Sequence, residues 1–196
     1  SHADWNKEGY NHWWVAPIYA QAEIAFKRMK AKVAKIPAYR INESKLTITT
    51  PLGTVMHFKS AQDPDSLFGE DVYSCVFDEA PRAKVEAFYA LRSTLTATRG
   101  KLKIIGNFGG ASNWVHHLKE KASDDPEYSY HKITAWDAVK EGILEEAEVK
   151  QAQKDLPDKI FKQLYLAEAQ DCDDQIYEYD AICSMFSNSY VAKSGK

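Results

Sequence analysis

Apolar and polar residues alternate along the chain in a pattern that predicts short buried strands separated by amphipathic helices. Residues 73–77 read Tyr-Ser-Cys-Val-Phe, an uncharged run of the kind found in buried strands. Trp13 to Ala16 form a second such run, which Pro17 ends. Helical periodicity follows over residues 20–35. Its apolar face consists of Ala22, Ala25, Phe26, Met29 and Val33.

Residues 45–59 carry the clearest hairpin signal in the chain. Apolar residues alternate with threonine before Pro51-Leu52-Gly53, which supplies the residues of a tight turn. A polar loop over residues 60–70 then leads to the strand at 73–77. The pattern therefore predicts an antiparallel pair of strands directly before that strand.

The rest of the chain continues the alternation of strands and helices. The predicted elements are a helix over 83–97, a strand over 102–106, a helix capped by Ser112, a strand over 128–135, helices over 144–155 and 158–169, and a strand over 175–179. Residues 184–196 are small, polar and unpatterned, which indicates a linker. The alternation favours one α/β domain over residues 1–183, with a mainly parallel sheet.

Composition places the chain among ordinary globular proteins. It has 196 residues, of which 44% are apolar and 27% charged. The net charge of −3 gives no overall nucleic-acid signature, so any contact with DNA must be local. Three scattered cysteines without a CxxC motif favour a reducing compartment. No apolar run approaches the roughly 18 residues of a membrane helix, so we expect no membrane association.

The predicted helix over 20–35 carries many basic residues outside its apolar face. These are Lys27, Arg28, Lys30, Lys32 and Lys35. A lysine-rich helix face is most often only solvated, and contact with DNA is the alternative interpretation.

Two adjacent carboxylates, Asp78 and Glu79, follow the apolar strand at 73–77. This is the Walker B pattern of nucleotide-hydrolysing enzymes, in which a rigid strand fixes two acids at its carboxyl end. The first acid can hold Mg²⁺ on the nucleotide phosphates, and the second can orient or deprotonate the attacking water. The alternative is an ordinary strand that ends in a polar turn.

Gly106 and Asn107 follow the next predicted strand in the same way. Ligands of open α/β sheets bind at the carboxyl ends of the strands, where Asp78 and Gly106 both lie. Arg82, Arg92 and Arg99 follow the acidic pair, and each is interpreted as a surface arginine or a carboxylate partner rather than an arginine finger. Adjacent His116 and His117 point about 100° apart on a helix, which argues against a metal site.

In this order, the segments resemble the ATPase domain of tailed-phage terminase large subunits, the motors that pump DNA into capsids. The matching segments are Trp14-Val15-Ala16-Pro17 with Gln21-Ala22, residues 53–61, residues 65–69, residues 75–80, and residues 104–109 with Asn113-Trp114. The resemblance covers residues 10–120 and continues more loosely to 183. Each motif is weak alone, but their order is specific.

The resemblance implies a P-loop NTPase fold of the RecA-like (ASCE) type, with three layers, a mainly parallel sheet and an N-terminal truncation. It implies ATP and Mg²⁺ as ligands, with Asp78 at the metal and Glu79 as the catalytic residue. Gly106 and Asn107 would form the motif that couples hydrolysis to movement. Phe68 stands where the family often has a basic residue, and Asn107-Phe108 replaces the common Thr-Pro.

No G-x-x-x-x-G-K-[ST] motif occurs in the sequence, so the backbone amides and lysine that hold nucleotide phosphates are missing from it. We expect the P-loop to precede this sequence and a nuclease domain to follow it. On this hypothesis the fragment alone is inactive.

The resemblance implies ATP-driven translocation of double-stranded DNA into a procapsid in the host cytoplasm. The implied partners are DNA, a small terminase subunit, a portal protein and further copies in a ring. Two alternatives stay open from the residues: another Walker B ATPase such as a helicase, and a non-catalytic capsid or adaptor domain.

Overall fold

The structure is a computed structural model that describes residues 9–107, 110 and 113–169. The chain divides into two compact units, residues 1–106 and residues 107–196. The first unit contains the sheet and two helices, and the second contains four short helices in its described part.

Six strands form one mixed sheet in the first unit. They are β1 (Asn11–Ala16), β2 (Arg40–Asn42), β3 (Thr47–Thr49), β4 (Val55–Ser60), β5 (Val72–Phe77) and β6 (Lys101–Ile104). The strand order is β2-β3-β4-β1-β5-β6. Strand β1 lies parallel to β4 and β5, and β5 lies parallel to β6, whereas β2, β3 and β4 pair in antiparallel fashion. The predicted α/β fold with a mainly parallel central sheet is confirmed.

Helix α1 (Tyr19–Val33) packs its apolar face on the β1–β4 part of the sheet. Phe26 and Ala22 are buried against Ala16, Ile48 and Phe58. The rings of Phe26 and Phe58 meet edge to face at 5.5 Å. Burying one such side chain contributes roughly 1.5–3 kcal/mol, so this cluster fixes α1 on the sheet. The helix predicted over 20–35 is confirmed.

Helix α2 (Val85–Thr94) follows β5 and buries Ala87, Ala90 and Leu91. The predicted strands at 13–16 and 73–77 and the predicted hairpin are also confirmed. Strand β2 was not predicted, because it has only three residues and both Arg40 and Asn42 are exposed.

The second unit contains α3 (Trp114–Asp124), α4 (Ala135–Lys140), α5 (Glu146–Asp155) and α6 (Asp158–Tyr165). Pro157 separates the last two helices, as predicted. The strand predicted over 128–135 is wrong, because residues 128–134 form no regular element and α4 begins at Ala135. The cap of α3 is Asn113 rather than the predicted Ser112.

The strand predicted over 175–179 and the linker over 184–196 lie outside the described residues. Among the helices that the structure describes, none is both long and apolar enough to span a membrane.

Candidate active site

The two predicted carboxylates lie in a turn that backbone hydrogen bonds hold on both sides. Asp78 N–H donates to the carbonyl oxygen of Val15 at 2.8 Å, which ties the turn to the end of β1. On the other side, Ile105 N–H donates to the Phe77 oxygen at 2.9 Å, and Ala80 N–H donates to the Ile105 oxygen at 3.1 Å. Three backbone hydrogen bonds to two neighbouring segments therefore fix the turn at the carboxyl edge of the sheet.

Glu79 adopts a left-handed backbone conformation, with φ 49° and ψ 31°. A non-glycine residue in this region costs roughly 1–3 kcal/mol and persists only where its surroundings hold it there. Glu79 N–H donates to Asp78 Oδ1 at 3.1 Å, and a short 3-10 turn, Ala80–Arg82, follows with Pro81 in its first turn. These contacts set the backbone direction from which the Glu79 side chain leaves the strand.

The Glu79 carboxylate is accessible. Its side chain is 41% exposed, and Oε2 lies 3.3 Å from Nε of Arg82, which is 66% exposed. An ion pair as open as this contributes about 0–1 kcal/mol, so it orients Glu79 without locking it. Arg82 is thus a carboxylate partner, in agreement with the prediction for that residue. The i, i+3 spacing of Glu79 and Arg82 is the sequence signal that could have indicated this pair.

Gly106 packs directly against the acidic turn. Its φ is +149°, and an added Cβ would lie 2.6 Å from Pro81 Cδ and 3.3 Å from Glu79 Cα. Both the backbone conformation and the space therefore require glycine at this position. The structure brings the predicted Gly106 and Glu79 together within the first unit, a contact that the sequence alone did not indicate.

Asn107 begins the second unit. Its side-chain Nδ2 donates to the carbonyl oxygen of Leu164 at 3.3 Å, just at the end of α6. Phe108 lies outside the described residues. Asn113, the next polar residue of the motif, accepts from Val115 N–H at 3.1 Å and caps α3.

Asp78 is the residue predicted to hold a magnesium ion. It is half-buried, and it offers carboxylate oxygens at the end of a rigid strand. Among the described residues, no group of three or more His, Cys, Asp or Glu side chains could hold a metal by itself. Mg²⁺ suits such a site, since it binds through one or two carboxylates and completes its shell with water and substrate phosphates.

Other chemically interesting residues have structural surroundings. His116 and His117 lie 3.9 Å and 3.5 Å from carboxylate oxygens of Glu120 on the same helix, with no metal-binding cluster in the described part of the chain. Burial raises the pKa of Cys75 to about 12, so its thiol is a poor nucleophile. Trp13 is 1% exposed and belongs to the core of the first unit.

Comparisons with known proteins connect this geometry to a family. A family model described as phage terminase large subunit matches residues 17–166. The ATPase domain of the Thermus phage P74-26 large terminase is 24% identical and gives a TM-score of 0.66, with 82% of this chain and 77% of that chain covered. No curated protein sequence matches the chain.

Two longer terminases share the fold. The large terminase of a thermophilic bacteriophage, solved in complex with ADP, is 14% identical with a TM-score of 0.69, over 87% of this chain and 42% of that one. The large terminase of bacteriophage HK97 is 17% identical with a TM-score of 0.65, over 83% and 40%. This chain therefore spans less than half of either protein. From the family match over residues 17–166, the chain belongs to the phage terminase large subunits.

Proposed function

We propose that this chain is the core of the ATPase that drives double-stranded DNA into a phage procapsid. The observation that supports it most is the acidic turn after β5. The turn that contains Asp78 and Glu79 is held there by backbone hydrogen bonds to Val15 in β1 and to Ile105 directly after β6. Membership of the terminase family favours a packaging motor over a helicase or an adaptor domain.

In this proposal Asp78 holds Mg²⁺ and Glu79 is the general base. When bound, Mg²⁺ would neutralise charge on the β- and γ-phosphate oxygens of ATP. Glu79 accepts a proton from a water molecule as the water oxygen attacks the γ-phosphorus. The bond from the γ-phosphorus to the bridging oxygen breaks, which gives ADP and inorganic phosphate. Arg82 keeps Glu79 near its working position through a weak contact that can open.

Gly106 and Asn107 would couple ATP hydrolysis to movement of the protein. A backbone movement at Glu79 would displace Gly106, because the two residues pack closely together. One peptide bond further on, Asn107 is anchored to the carbonyl oxygen of Leu164 in the second unit. A shift of the acidic turn would therefore pull on the first residue of the helical unit.

The sequence carries no G-x-x-x-x-G-K-[ST] motif. We propose that the phosphate-binding P-loop is supplied by a segment outside these 196 residues, so that the isolated chain does not hydrolyse ATP. In the complete motor the partners would be double-stranded DNA, the small terminase subunit, the portal protein and further copies in a ring. The motor would act in the host cytoplasm, docked on the procapsid.

The test replaces Glu79 by Gln in the complete terminase. Gln keeps the size and most hydrogen bonds of Glu but cannot accept the proton. We expect ATP turnover to fall by roughly 10²-fold or more, the scale for removing a general base, while nucleotide affinity and melting temperature stay near wild type. Asp78→Ala should instead weaken the magnesium-dependent part of nucleotide binding.

A carboxylate that only shapes the turn would behave differently. In that case Glu79→Gln would leave turnover near normal, or would lower turnover, affinity and melting temperature together. Either result in a single experiment, with ATPase rate and nucleotide affinity measured side by side, would show that Glu79 is not the base.

A further inference from the structure

Positive charge in this acidic protein is concentrated in one segment of the first unit. Residues 23–45 contain seven of the 25 lysines and arginines but two of the 28 acidic residues. The net charge of the whole chain is −3. This segment therefore gives the first unit a locally positive surface on a molecule that is otherwise negative.

Helix α1 presents three of these cations to solvent. Arg28 and Lys32 lie two and six residues after the buried Phe26, so at 100° per residue they point about 160° and 120° away from it. Lys35 follows directly after the helix end at Ala34. All three side chains are exposed, and we call them the basic stripe.

The basic stripe differs from its neighbours in lacking counter-ions. Lys27 pairs with Glu23 at 3.0 Å, and Lys30 pairs with Glu43 at 2.6 Å. Within the described part of the chain, no salt bridge joins Arg28, Lys32 or Lys35 to a carboxylate. Three uncompensated cations within one and a half to two helical turns are attracted to a partner with closely spaced negative charges.

We propose that the basic stripe binds the phosphate backbone of duplex DNA. Ile24 and Ile36 are exposed beside the stripe, but neither is an aromatic anchor of the kind that dominates protein interfaces. Arg28 and Lys32 lie about 6 Å apart along the helix, comparable with two phosphate steps of 3.4 Å along one DNA strand. Lysine acts on phosphate as a point charge and needs no fixed geometry. The choice of DNA as the partner rests on the proposed function, whereas the charge pattern does not.

The stripe is separate from the acidic turn. Helix α1 has 15 residues and is therefore about 22 Å long, and it starts three residues after the end of β1, beside which Asp78 lies. Arg28 and Lys32 belong to its second half. DNA binding by this surface therefore does not require nucleotide, and it can be measured without hydrolysis.

The experiment titrates the 196-residue chain into a fluorescein-labelled duplex of mixed sequence and follows anisotropy between low and physiological salt. We expect nonspecific affinity, with Kd on the order of 10⁻⁶–10⁻⁴ M, that weakens steeply as salt rises. A plot of the logarithm of the binding constant against the logarithm of the salt concentration has a negative slope. In the triple variant R28Q/K32Q/K35Q, this slope should become shallower by about 2.7, since each lost phosphate contact removes about 0.9. At low salt its affinity should fall roughly tenfold or more.

Two matched variants define the control. K121Q/K140Q/K154Q removes the same charge from exposed positions of α3, α4 and α5 and should change the salt slope by much less. R28K keeps the charge and should keep the affinity, because a point charge suffices for phosphate. Gln is a good helix former, so circular dichroism and melting temperature should show that α1 is intact.

Several results would overturn the proposal. They are no binding of the duplex by the wild-type chain at low salt, an equal loss in both triple variants, and competition by a polyglutamate peptide as effective as that by unlabelled DNA. The last result would indicate an acidic protein partner. Loss of DNA binding in R28Q/K32Q/K35Q, together with normal turnover in Glu79→Gln, would leave the basic stripe valid and refute the hydrolytic role.

Discussion

The two units of the chain are stabilised in different ways. In the first unit, a sheet and two α-helices bury many large side chains, among them Trp13, Phe26 and Phe77. Among the described residues of the second unit, the buried apolar side chains are three: Val115, Val149 and Phe161. A site that needs fixed geometry belongs on the better-packed unit, and the acidic turn lies there.

The helix ends follow this contrast only in part. Helices α1 and α2 begin without a side-chain cap, at Ile18 and Lys84, and are stabilised by packing on the rest of the first unit. In the second unit, α3 and α4 begin with side-chain caps, Asn113 and Thr134, whereas α5 and α6 begin at Glu145 and Pro157 without one. Short helices with few buried residues depend more on such local interactions, because tertiary packing stabilises them less. The second unit is therefore expected to open more easily than the first.

The largest effect is expected from removing a ring in the core of the sheet. Phe77 is fully buried at the end of β5, next to the acidic turn. Phe77→Ala should lower the free energy of unfolding by about 3–5 kcal/mol, because it loses buried apolar surface and leaves a cavity. Chemical denaturation followed by circular dichroism measures this change. A loss below about 1 kcal/mol would contradict the placement of Phe77 in the packed core of the unit.

The matching change in the second unit is Phe161→Ala. Phe161 is 1% exposed and stacks on Tyr165 with ring centres 5.0 Å apart. Phe161→Ala should lower the local free energy of unfolding by about 3 kcal/mol, since it removes one of the few buried apolar side chains among the described residues of the second unit. Hydrogen exchange should then accelerate in α5 and α6 and remain near wild type in β1 and β5. Equal acceleration in both units would show that they unfold as one.

Much of the first unit was predictable because its periodicity and its burial agree. Uncharged runs became β1 and β5, and the apolar face of α1 became the core contact. The mistaken strand over 128–135 shows the limit of this reasoning. Tyr128, Tyr130 and Ile133 suggested a strand, but all are exposed, and no strand of the sheet pairs there. Apolar residues indicate a strand only where a sheet exists to bury them.

The candidate site was predictable in part for a similar reason. The position of Asp78 and Glu79 follows from the strand that precedes them, which sequence shows directly. The left-handed backbone of Glu79 and its contact with Gly106 depend on how β5 and β6 lie side by side. Such contacts between distant segments leave no local signal, apart from a glycine at the end of a strand.

Gly106→Ala tests the contact between Gly106 and Glu79. Its expected effect on stability is smaller than that of the two phenylalanine substitutions. The added methyl group would overlap Pro81 and press on Glu79, at a φ that disfavours any side chain. We expect a loss of about 1–3 kcal/mol in the free energy of unfolding. In the complete terminase, turnover should fall more than nucleotide affinity does.

Gly69→Ala is the matched control for Gly106. Gly69 also has a positive φ, of +90°, but an added Cβ would meet no atom within 4 Å. It should show the backbone cost alone, with turnover unchanged. If both variants have the same stability and the same turnover, the close packing of Gly106 on the acidic turn does not contribute to catalysis.

The smallest expected effect concerns the caps of the second unit. Thr134 Oγ1 accepts from Asp137 N–H at 3.2 Å, and an Asp137 carboxylate oxygen accepts from Thr134 N–H at 2.8 Å, which closes a capping box. Thr134 Oγ1–H also donates to Asp137 Oδ2 at 2.7 Å, and this bond, together with the one from Thr134 N–H, lowers the pKa of Asp137. Thr134→Ala should lower the free energy of unfolding by about 1 kcal/mol, the usual value for a lost cap, and the amides of α4 should exchange hydrogen faster.

Lys84→Ala, at an uncapped helix start in the first unit, removes no such bond and should change hydrogen exchange in α2 very little. If Lys84→Ala accelerated exchange in α2 as much as Thr134→Ala does in α4, caps would matter equally in both units. The contrast between a unit held by packing and one held by local bonds would then be wrong.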